Sequence, residues 1–275
     1  MIKKLKNMNN NIKMYKRFLI ICFSAIFVIL VGCESNDNST NSVYIPKPIN
    51  KKVLVEYFSN SSCIPCVDMH RSFIEPIVAA AGVTNNDTGV IFVSWQFKYP
   101  NSQDSVYWAN AVQNGYRANY YQVQVAPYGL LDGNFMGSYS TSQWTSQVNN
   151  EFNGTKYLNI TLSGTYDSTG RNGNITANIQ TLVAPSTNDN VAHFILTEDS
   201  VMYISAQNGI KQLDNIMRLM ISDTTGVSIN LSGTQSLNES YNIQTKYNDS
   251  KCHIVVFVQS LSTKAVYGVE KIKVR

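Results

Sequence analysis

Two cysteines separated by two residues are the strongest chemical signal in this sequence. Cys63 and Cys66 follow a short apolar strand and a polar turn, within the stretch Val53–His70. Thiols at this spacing at the start of a helix can close a small disulfide ring and exchange it with a partner. The free N–H groups and partial positive charge of a helix N-terminus stabilise a thiolate, so we expect a lowered pKa for Cys63. The motif predicts thiol–disulfide exchange, with Cys63 attacking and Cys66 resolving the mixed disulfide.

Other uses of the pair give different expectations. The cysteines could form a permanent structural disulfide. A zinc site would need more soft ligands, and the remaining ones are scattered without a second Cys-x-x-Cys pair: His70, His193, Cys252 and His253. Attachment of a c-type haem requires a histidine directly after the second cysteine, where Val67 stands. We therefore expect neither a metal nor a cofactor.

Residues 1–33 have the pattern of a lipoprotein signal peptide. Basic residues precede an uncharged apolar run of 14 residues from Phe18 to Val31, shorter than the roughly 18 to 20 residues of a membrane-spanning helix. Leu30-Val31-Gly32-Cys33 resembles the bacterial lipobox, in which the cysteine is acylated and becomes the new N-terminus. The resemblance implies attachment to a membrane through lipid on Cys33. An ordinary secreted protein is the alternative.

Charge and cysteine count limit the classes of partner. The signal holds six of the 22 basic residues and none of the 18 acidic ones, so the remaining chain has a net charge of −2. No basic cluster is interleaved with aromatic residues, so we expect no nucleic-acid partner. With Cys22 in the signal and Cys33 acylated, three cysteines remain, too few for a disulfide scaffold. Cys252 is expected to be a buried, inert thiol.

Composition divides the rest of the chain into a tether and two domains. Residues 34–50 are rich in Ser, Asn, Thr and Pro and predict a disordered tether. Residues 51–153 predict alternating strands and helices, and residues 155–275 predict an antiparallel Ig-like β-sandwich. The expected elements of the first domain are a strand at 52–58, a helix at 63–81 bent at Pro76, a strand at 88–95, a helical region at 104–121 broken near Gly115, two strands flanking Ala126-Pro127 with a turn at Asp132-Gly133, and a helix at 141–152.

This order of elements resembles the thioredoxin-like fold, a central mixed sheet flanked by helices. The resemblance implies that Cys63 and Cys66 are the active dithiol and that Pro127 is a cis-proline facing it. In that fold the backbone before the cis-proline pairs with an extended substrate. The implied substrate-binding positions are Pro65, Ala126, Pro127 and Tyr128; an ordinary core position is the alternative for Tyr128.

The proton relay of that family matches less closely. Its acid in the first strand corresponds approximately to Glu56, displaced by one residue, and Ser62 stands where a tryptophan is usual. Glu56 in an apolar strand would accept a proton from Cys66; an edge position with the carboxylate in water is the alternative. His70 lies two helical turns after Cys63 and is expected on the helix surface.

The two halves together resemble the outer-membrane-protein-twenty-eight-related lipoproteins of Gram-negative bacteria. The resemblance rests on the signal, the Cys-x-x-Cys domain and three β segments: Phe194-Ile-Leu-Thr-Glu-Asp199, Met217-Arg-Leu-Met220 and Val255-Val-Phe-Val258. It implies a cell-envelope location, with the protein anchored to the outer membrane on its periplasmic or outer side.

Two functions follow from these patterns. The first is a membrane-anchored, extracytoplasmic thiol–disulfide oxidoreductase that acts on protein thiols or disulfides with an unidentified redox partner. The second is a non-catalytic surface-binding or adhesin-like lipoprotein in which the thioredoxin-like unit is only a scaffold. The Cys-Ile-Pro-Cys dithiol favours the enzyme.

Overall fold

A nine-stranded mixed sheet is the centre of the computed structural model, which describes residues 50–84 and 89–275. The predicted signal peptide, Cys33 and residues 34–49 of the predicted tether lie outside these residues. The strands are β1 (Val53–Ser59), β2 (Val90–Gln96), β3 (Tyr128–Leu131), β4 (Asn134–Phe135), β5 (Leu158–Asp167), β6 (Asn172–Thr181), β7 (Asn190–Glu198), β8 (Val201–Met202), β9 (Gln212–Leu213), β10 (Ile216–Met220), β11 (Val227–Ser228), β12 (Thr234–Asn242), β13 (Cys252–Ser260) and β14 (Val266–Lys273). The α-helices are α1 (Pro65–Met69), α2 (Glu75–Thr84), α3 (Ser105–Trp108), α4 (Ala111–Tyr121) and α5 (Thr141–Glu151).

Strand β1 separates two cores. It lies parallel to β2 and antiparallel to β3, and all seven of its residues are buried. Successive side chains of a strand point to opposite faces of the sheet. The cysteine-side core takes the odd-numbered residues of β1 and includes Val53, Val55, Tyr57, Cys63, Cys66, Phe73 and Trp144. The far-side core takes the even-numbered ones and includes Leu54, Phe58, Ile91, Val93, Ile195, Met217, Val255 and Phe257.

The helix that carries the cysteines contains a π-helical segment. Residues His70–Ile74 join α1 to α2, and the N–H of Glu75 donates to the carbonyl of His70, five residues earlier. Pro76 follows directly, and proline has no N–H to donate to the carbonyl four residues before it. The wider π-helical turn accommodates Pro76, where the sequence predicts a bend in the helix.

The predicted hairpin after β3 is present, whereas the break in the next helical region is misplaced. Asp132 and Gly133 both have positive φ, 44° and 83°, as an Asp-Gly hairpin turn requires. Helices α3 and α4 separate at Ala109 and Asn110 instead of at Gly115. The amide of Asn110 donates to the carbonyl of Arg218 at 2.9 Å, so a contact with the C-terminal half fixes the position of this break.

The C-terminal half extends the first sheet, contrary to the expected separate Ig-like sandwich. The strand order is β14-β13-β7-β10-β2-β1-β3-β4, and β10 pairs in parallel with β2 through Ile216 and Ser94. Strand β7 is buried along its whole length. A strand covered on both faces belongs inside a large sheet, because a sandwich strand alternates buried and exposed residues.

A second, three-stranded sheet covers one face of this extension. Its order is β12-β6-β5, and β6 alternates buried and exposed positions, as expected when one face meets solvent. Its inner residues share a core with β7 and β13. The three-stranded sheet contributes Leu158, Ile175, Ala177 and Ile179, and β7 and β13 contribute Phe194, Leu196, Ile254 and Val256. The fold is therefore a sheet-rich mixed α/β arrangement. The predicted domain boundary at residue 154 stays a prediction, because it concerns whether each half folds independently.

Candidate active site

Cys63 and Cys66 form a disulfide at the start of the cysteine helix. Pro65 is the first residue of α1, where its missing N–H costs no hydrogen bond. The N–H of Cys66 lies 3.2 Å from the sulfur of Cys63. The sulfur-bearing residues are 2% and 0% exposed, while Ile64 between them is 66% exposed. The pair is therefore at the surface turn but largely covered.

A polar network holds the turn that precedes the disulfide. The amide nitrogen of the Asn60 side chain donates to the carbonyls of Phe97 at 2.7 Å and Asn101 at 3.1 Å. The fully buried carboxylate of Asp104 accepts the N–H of Ser61 at 2.7 Å, and its other oxygen caps α3. These bonds all come from the loop between β2 and α3, so that loop holds the turn before Cys63 in place before any partner arrives.

The predicted Ala-Pro segment borders the core that contains the disulfide. The Ala126–Pro127 peptide is cis, and Ala126 packs against the cysteine-side core. Ala126, Pro127 and Tyr128 are half-exposed. The Tyr128 ring stacks on the exposed ring of Phe135, with centroids 4.4 Å apart. Tyr128 also packs against the far-side core, where its ring centroid lies 6.2 Å from that of Phe58, so its side chain is on the face of the sheet away from the cysteines. The substrate-binding roles of Pro65, Ala126 and Pro127 stay predictions.

Glu56 does not lie beside the cysteines, and its predicted role as their proton acceptor is corrected. Its side chain points to the far side of β1, because the side chain of an even-numbered residue in this strand faces away from the cysteine-side core. Both carboxylate oxygens accept hydrogen bonds from Arg117, and Trp95 and Tyr121 each donate one more. The carboxylate is fully buried and paired, so the alternative of an edge position in water is also wrong.

The residue of β1 that faces the cysteines is Tyr57, and it contacts His70. The two rings meet edge to face with centroids 6.2 Å apart. His70 is 4% exposed, contrary to the expected surface position. Burial lowers the pKa of His70, although the charges of Glu75 and Asp214 oppose this shift. The sequence signal for this position is its spacing, four residues after Cys66.

The segment from β8 to β9 covers the cysteine turn, which the sequence did not indicate. Asn208 donates through its backbone to the carbonyl of Ser61 at 2.9 Å. Its side chain donates to the carbonyls of Asn60 at 3.2 Å and Cys63 at 3.4 Å. The hydroxyl of Ser62 donates to Gln207 at 2.7 Å. We call residues 203–211 the covering loop; it belongs to the C-terminal half and is bonded to the backbone that carries Cys63.

An apolar cluster also holds the covering loop against the cysteine helix. Val67, in the first turns of the cysteine helix, packs against a small cluster formed by Val106, Ile210, Leu213 and Ile216. Because Ile216 is also the residue that joins β10 to β2, the loop and the sheet junction depend on one another.

The remaining candidate ligands are apart from the disulfide. Cys252 is a free buried thiol that donates to the carbonyl of Asn248, and burial raises its pKa to about 12. His193 and His253 lie in β7 and β13. Within the described parts of the chain, no three His, Cys, Asp or Glu side chains are grouped to hold a metal ion.

Comparisons with known proteins identify a similar fold. No protein-family profile and no curated protein sequence matches the chain. The solved structure of HBP35 of Porphyromonas gingivalis superposes with a TM-score of 0.69 at 12% identity, over 82% of this chain and 76% of that one. A domain of the outer membrane lipoprotein Omp28 from the same organism gives a TM-score of 0.34 at 17% identity, over 44% of this chain and 91% of that one. The likeness to HBP35 shows a shared fold. In residues 50–84 and 89–275, no helix is long and apolar enough to cross a membrane.

Proposed function

We propose that this protein is a thiol–disulfide oxidoreductase acting on protein thiols or disulfides. The observation that carries the proposal is the Cys63–Cys66 disulfide at a helix N-terminus, with the half-exposed Ala126 packed against the same core. In the reduced protein, the N–H of Cys66 and the helix N-terminus would stabilise a thiolate at Cys63. Such a thiolate is the attacking form in disulfide exchange.

The reaction proceeds in two steps in the reductive direction. The Cys63 thiolate attacks one sulfur of a substrate disulfide, forms a mixed disulfide and releases the first substrate thiolate. Cys66 then attacks the sulfur of Cys63, so the Cys63–Cys66 bond forms and the second substrate thiolate leaves. The substrate gains two electrons and two protons, and the dithiol loses them. The reduction potential of the pair decides which direction operates.

An extended polypeptide is the substrate form that this site favours. Among the described residues, none hydrogen-bonds to the backbone of the half-exposed Ala126. A free backbone segment of this kind can pair with a substrate strand. The exposed side chain of Ile64, between the two cysteines, offers an apolar contact to the side chains of the substrate.

Reduction of insulin by dithiothreitol tests the proposal. We expect the wild-type chain to accelerate the reaction, Cys63→Ser to abolish the acceleration and Cys66→Ser to accumulate a mixed disulfide. Cys252→Ser is the matched control and should behave like wild type. In a glutathione titration the pair should titrate between about −120 and −270 mV. A pair that stays oxidised far below this range would overturn the proposal, as would activity in Cys63→Ser.

A non-catalytic binding protein is the second candidate. The observation that favours it is the burial of the disulfide in the cysteine-side core, where Cys63 and Cys66 are 2% and 0% exposed. A structural disulfide in a binding scaffold would resist reduction and would not turn over insulin. The same titration therefore separates the two functions.

We also propose that lipid on Cys33 anchors the protein to the outer membrane, on its periplasmic or outer side. The support is the lipobox-like sequence Leu30-Val31-Gly32-Cys33 at the end of an apolar run. Acyl chains of this kind hold a protein on a membrane without a spanning segment. Cys33→Ser should move the protein from the membrane fraction to the supernatant, and mass spectrometry should find diacylglycerol on Cys33. An unmodified Cys33 in membrane-bound protein would contradict the anchor.

A further inference from the structure

His70 occupies a buried position one helical turn after Cys66, and the exchange reaction described above leaves it without a role. It stands four residues after Cys66, and its backbone N–H donates to the backbone carbonyl of Cys66. Residues four apart on a helix have Cβ atoms about 5–6 Å apart on the same face. Side chains of a helix also lean toward its N-terminus, which directs the imidazole toward the cysteine.

The imidazole has an unused hydrogen-bonding atom. Nδ1 of His70 is buried and has no hydrogen-bond partner among the described residues, and the residue is 4% exposed. Buried polar atoms almost always have partners, so such an atom calls for an explanation. In its neutral form an imidazole carries one acceptor nitrogen, and burial favours this form at neutral pH.

The groups around His70 are suited to a transient positive charge. Tyr57 places its ring edge to face with the imidazole, and the Tyr57 hydroxyl donates to the carbonyl of Asp214 at 3.3 Å. The carboxylates whose charges reach His70 are those of Glu75 and Asp214, and both favour the imidazolium. Burial raises the pKa of Tyr57, so its hydroxyl is not a competing base.

We infer, on the basis of the proposed exchange function, that His70 is the base that accepts the Cys66 proton during resolution of the mixed disulfide. The S–H bond of Cys66 breaks and its proton passes to the imidazole, directly or through one water. The electron pair left on Cys66 forms the bond to Cys63, and the substrate sulfur leaves with the electrons of the mixed disulfide. The imidazolium then returns its proton to solvent. Glu56, the acid expected for this task, lies on the other face of β1.

A two-phase reaction with dithiobis-nitrobenzoate tests the role of His70. With the reduced protein, the first release of nitrothiobenzoate reports attack by Cys63 and the second reports resolution by Cys66. We expect His70→Gln to slow the second phase at least about tenfold near neutral pH. The rate of this phase should also lose the pH dependence that titration of a histidine produces. The first phase should stay within about twofold of wild type. His253→Gln is the matched control and should leave both phases unchanged.

The outcomes separate failure of this inference from failure of the proposed function. A wild-type protein without a second phase overturns the exchange function itself. A second phase that is equal in wild type and His70→Gln, with the same pH profile, overturns only the role of His70. If His70→Gln does not fold, the imidazole is titrated by NMR in wild type, once with the disulfide and once with Cys63 methylated and Cys66 free. We expect different titrations in the two states, and identical titrations overturn the inference.

Discussion

Arg117 donates two hydrogen bonds to the carboxylate of Glu56, at 2.8 Å and 2.7 Å, on the face of β1 that lies away from the disulfide. Both side chains are at most 1% exposed. Donors from Trp95 and Tyr121 bring the carboxylate to four hydrogen bonds. The pair joins β1 to α4 within the far-side core, so its role is structural.

Loss of the Glu56 charge should therefore destabilise the fold without changing the redox chemistry. Glu56→Gln leaves the guanidinium of Arg117 buried without its counter-charge, and we expect the free energy of unfolding to fall by about 3–5 kcal/mol. Urea denaturation measures this loss. The rate of insulin reduction per folded molecule should match wild type.

The control for this change is a less buried ion pair. Lys52 and Glu270 are joined at 2.6 Å, with side chains 29% and 22% exposed, and Glu270→Gln should cost less than about 1 kcal/mol. A Glu56→Gln protein of normal stability with a slow exchange reaction would restore Glu56 to a proton-transfer role and refute this prediction.

The covering loop should control access to Cys63. Asn208→Ala removes the side-chain bonds to the carbonyls of Asn60 and Cys63. Each neutral hydrogen bond contributes about 1 kcal/mol, so local opening of the loop should become several-fold more frequent. We expect iodoacetamide to alkylate Cys63 of the reduced protein several-fold faster. The rate is followed by mass spectrometry.

Asn230→Ala provides the comparison, since Asn230 is exposed and lies outside the covering loop. Its alkylation rate should equal that of wild type. Equal rates in Asn208→Ala and wild type would show that the loop does not limit access.

The sequence predicted the local features of the site because they are encoded by neighbouring residues. The dithiol at the start of a helix and the Asp132-Gly133 turn both depend on short-range chemistry. The assignment of Glu56 failed because a shift of one residue along a strand moves the side chain to the other face. The position of His70 was missed because its distance was counted from Cys63 and not from Cys66, whose helix face it shares.

The arrangement of the C-terminal half depends on contacts between residues far apart in the chain. Pairing of β10 with β2 joins residues more than 100 positions apart, and no local pattern specifies it. The sequence therefore indicates Met217–Met220 only as part of a family resemblance and predicts no strand there. The available signal was the apolar run Val191–Leu196 in β7, interrupted only by His193, since an Ig-like strand should alternate. The covering loop has no regular periodicity and gave no signal.

The stability of the protein should fall in mild acid because of His193. It is 2% exposed, Nδ1 lacks a partner among the described residues, and burial together with the charge of Arg117 holds its pKa well below 6.5. Below pH 6.5 the unfolded chain binds a proton that the folded chain does not, so stability is lost as pH falls toward the folded pKa. The slope approaches about 1.4 kcal/mol per pH unit.

In His193→Phe, the free energy of unfolding should fall less steeply as the pH drops below 6.5. The slope of this free energy against pH should correspond to up to one proton fewer taken up on unfolding. Asp132 acts in the opposite direction, because burial raises its pKa from 3.8 to about 6 and its contribution is lost as pH rises through that range. The difference between variant and wild type isolates the histidine. Parallel curves for the two proteins would assign the acid loss to other groups.

The continuous sheet predicts that residues 50–153 do not fold alone. Without the C-terminal half, β2 loses its neighbour β10. The even-numbered face of β1 also loses its contacts with Ile195, Met217 and Phe257 of the far-side core. An exposed apolar sheet face and an unpaired buried strand edge both favour aggregation. We expect the 50–153 fragment to show no cooperative urea transition, whereas residues 50–275 unfold in one.

The slope of the free energy of unfolding against urea concentration would reveal the opposite result, because this slope scales with the surface exposed on unfolding. A fragment that unfolds cooperatively, with about half the slope of the longer chain, would establish the boundary near residue 154 as a true domain boundary. In that case β10 would be an added strand on a finished domain. If the fragment is unfolded, the C-terminal half is required both to complete the sheet and to place the covering loop over Cys63, so loss of exchange in the fragment would follow from loss of the fold.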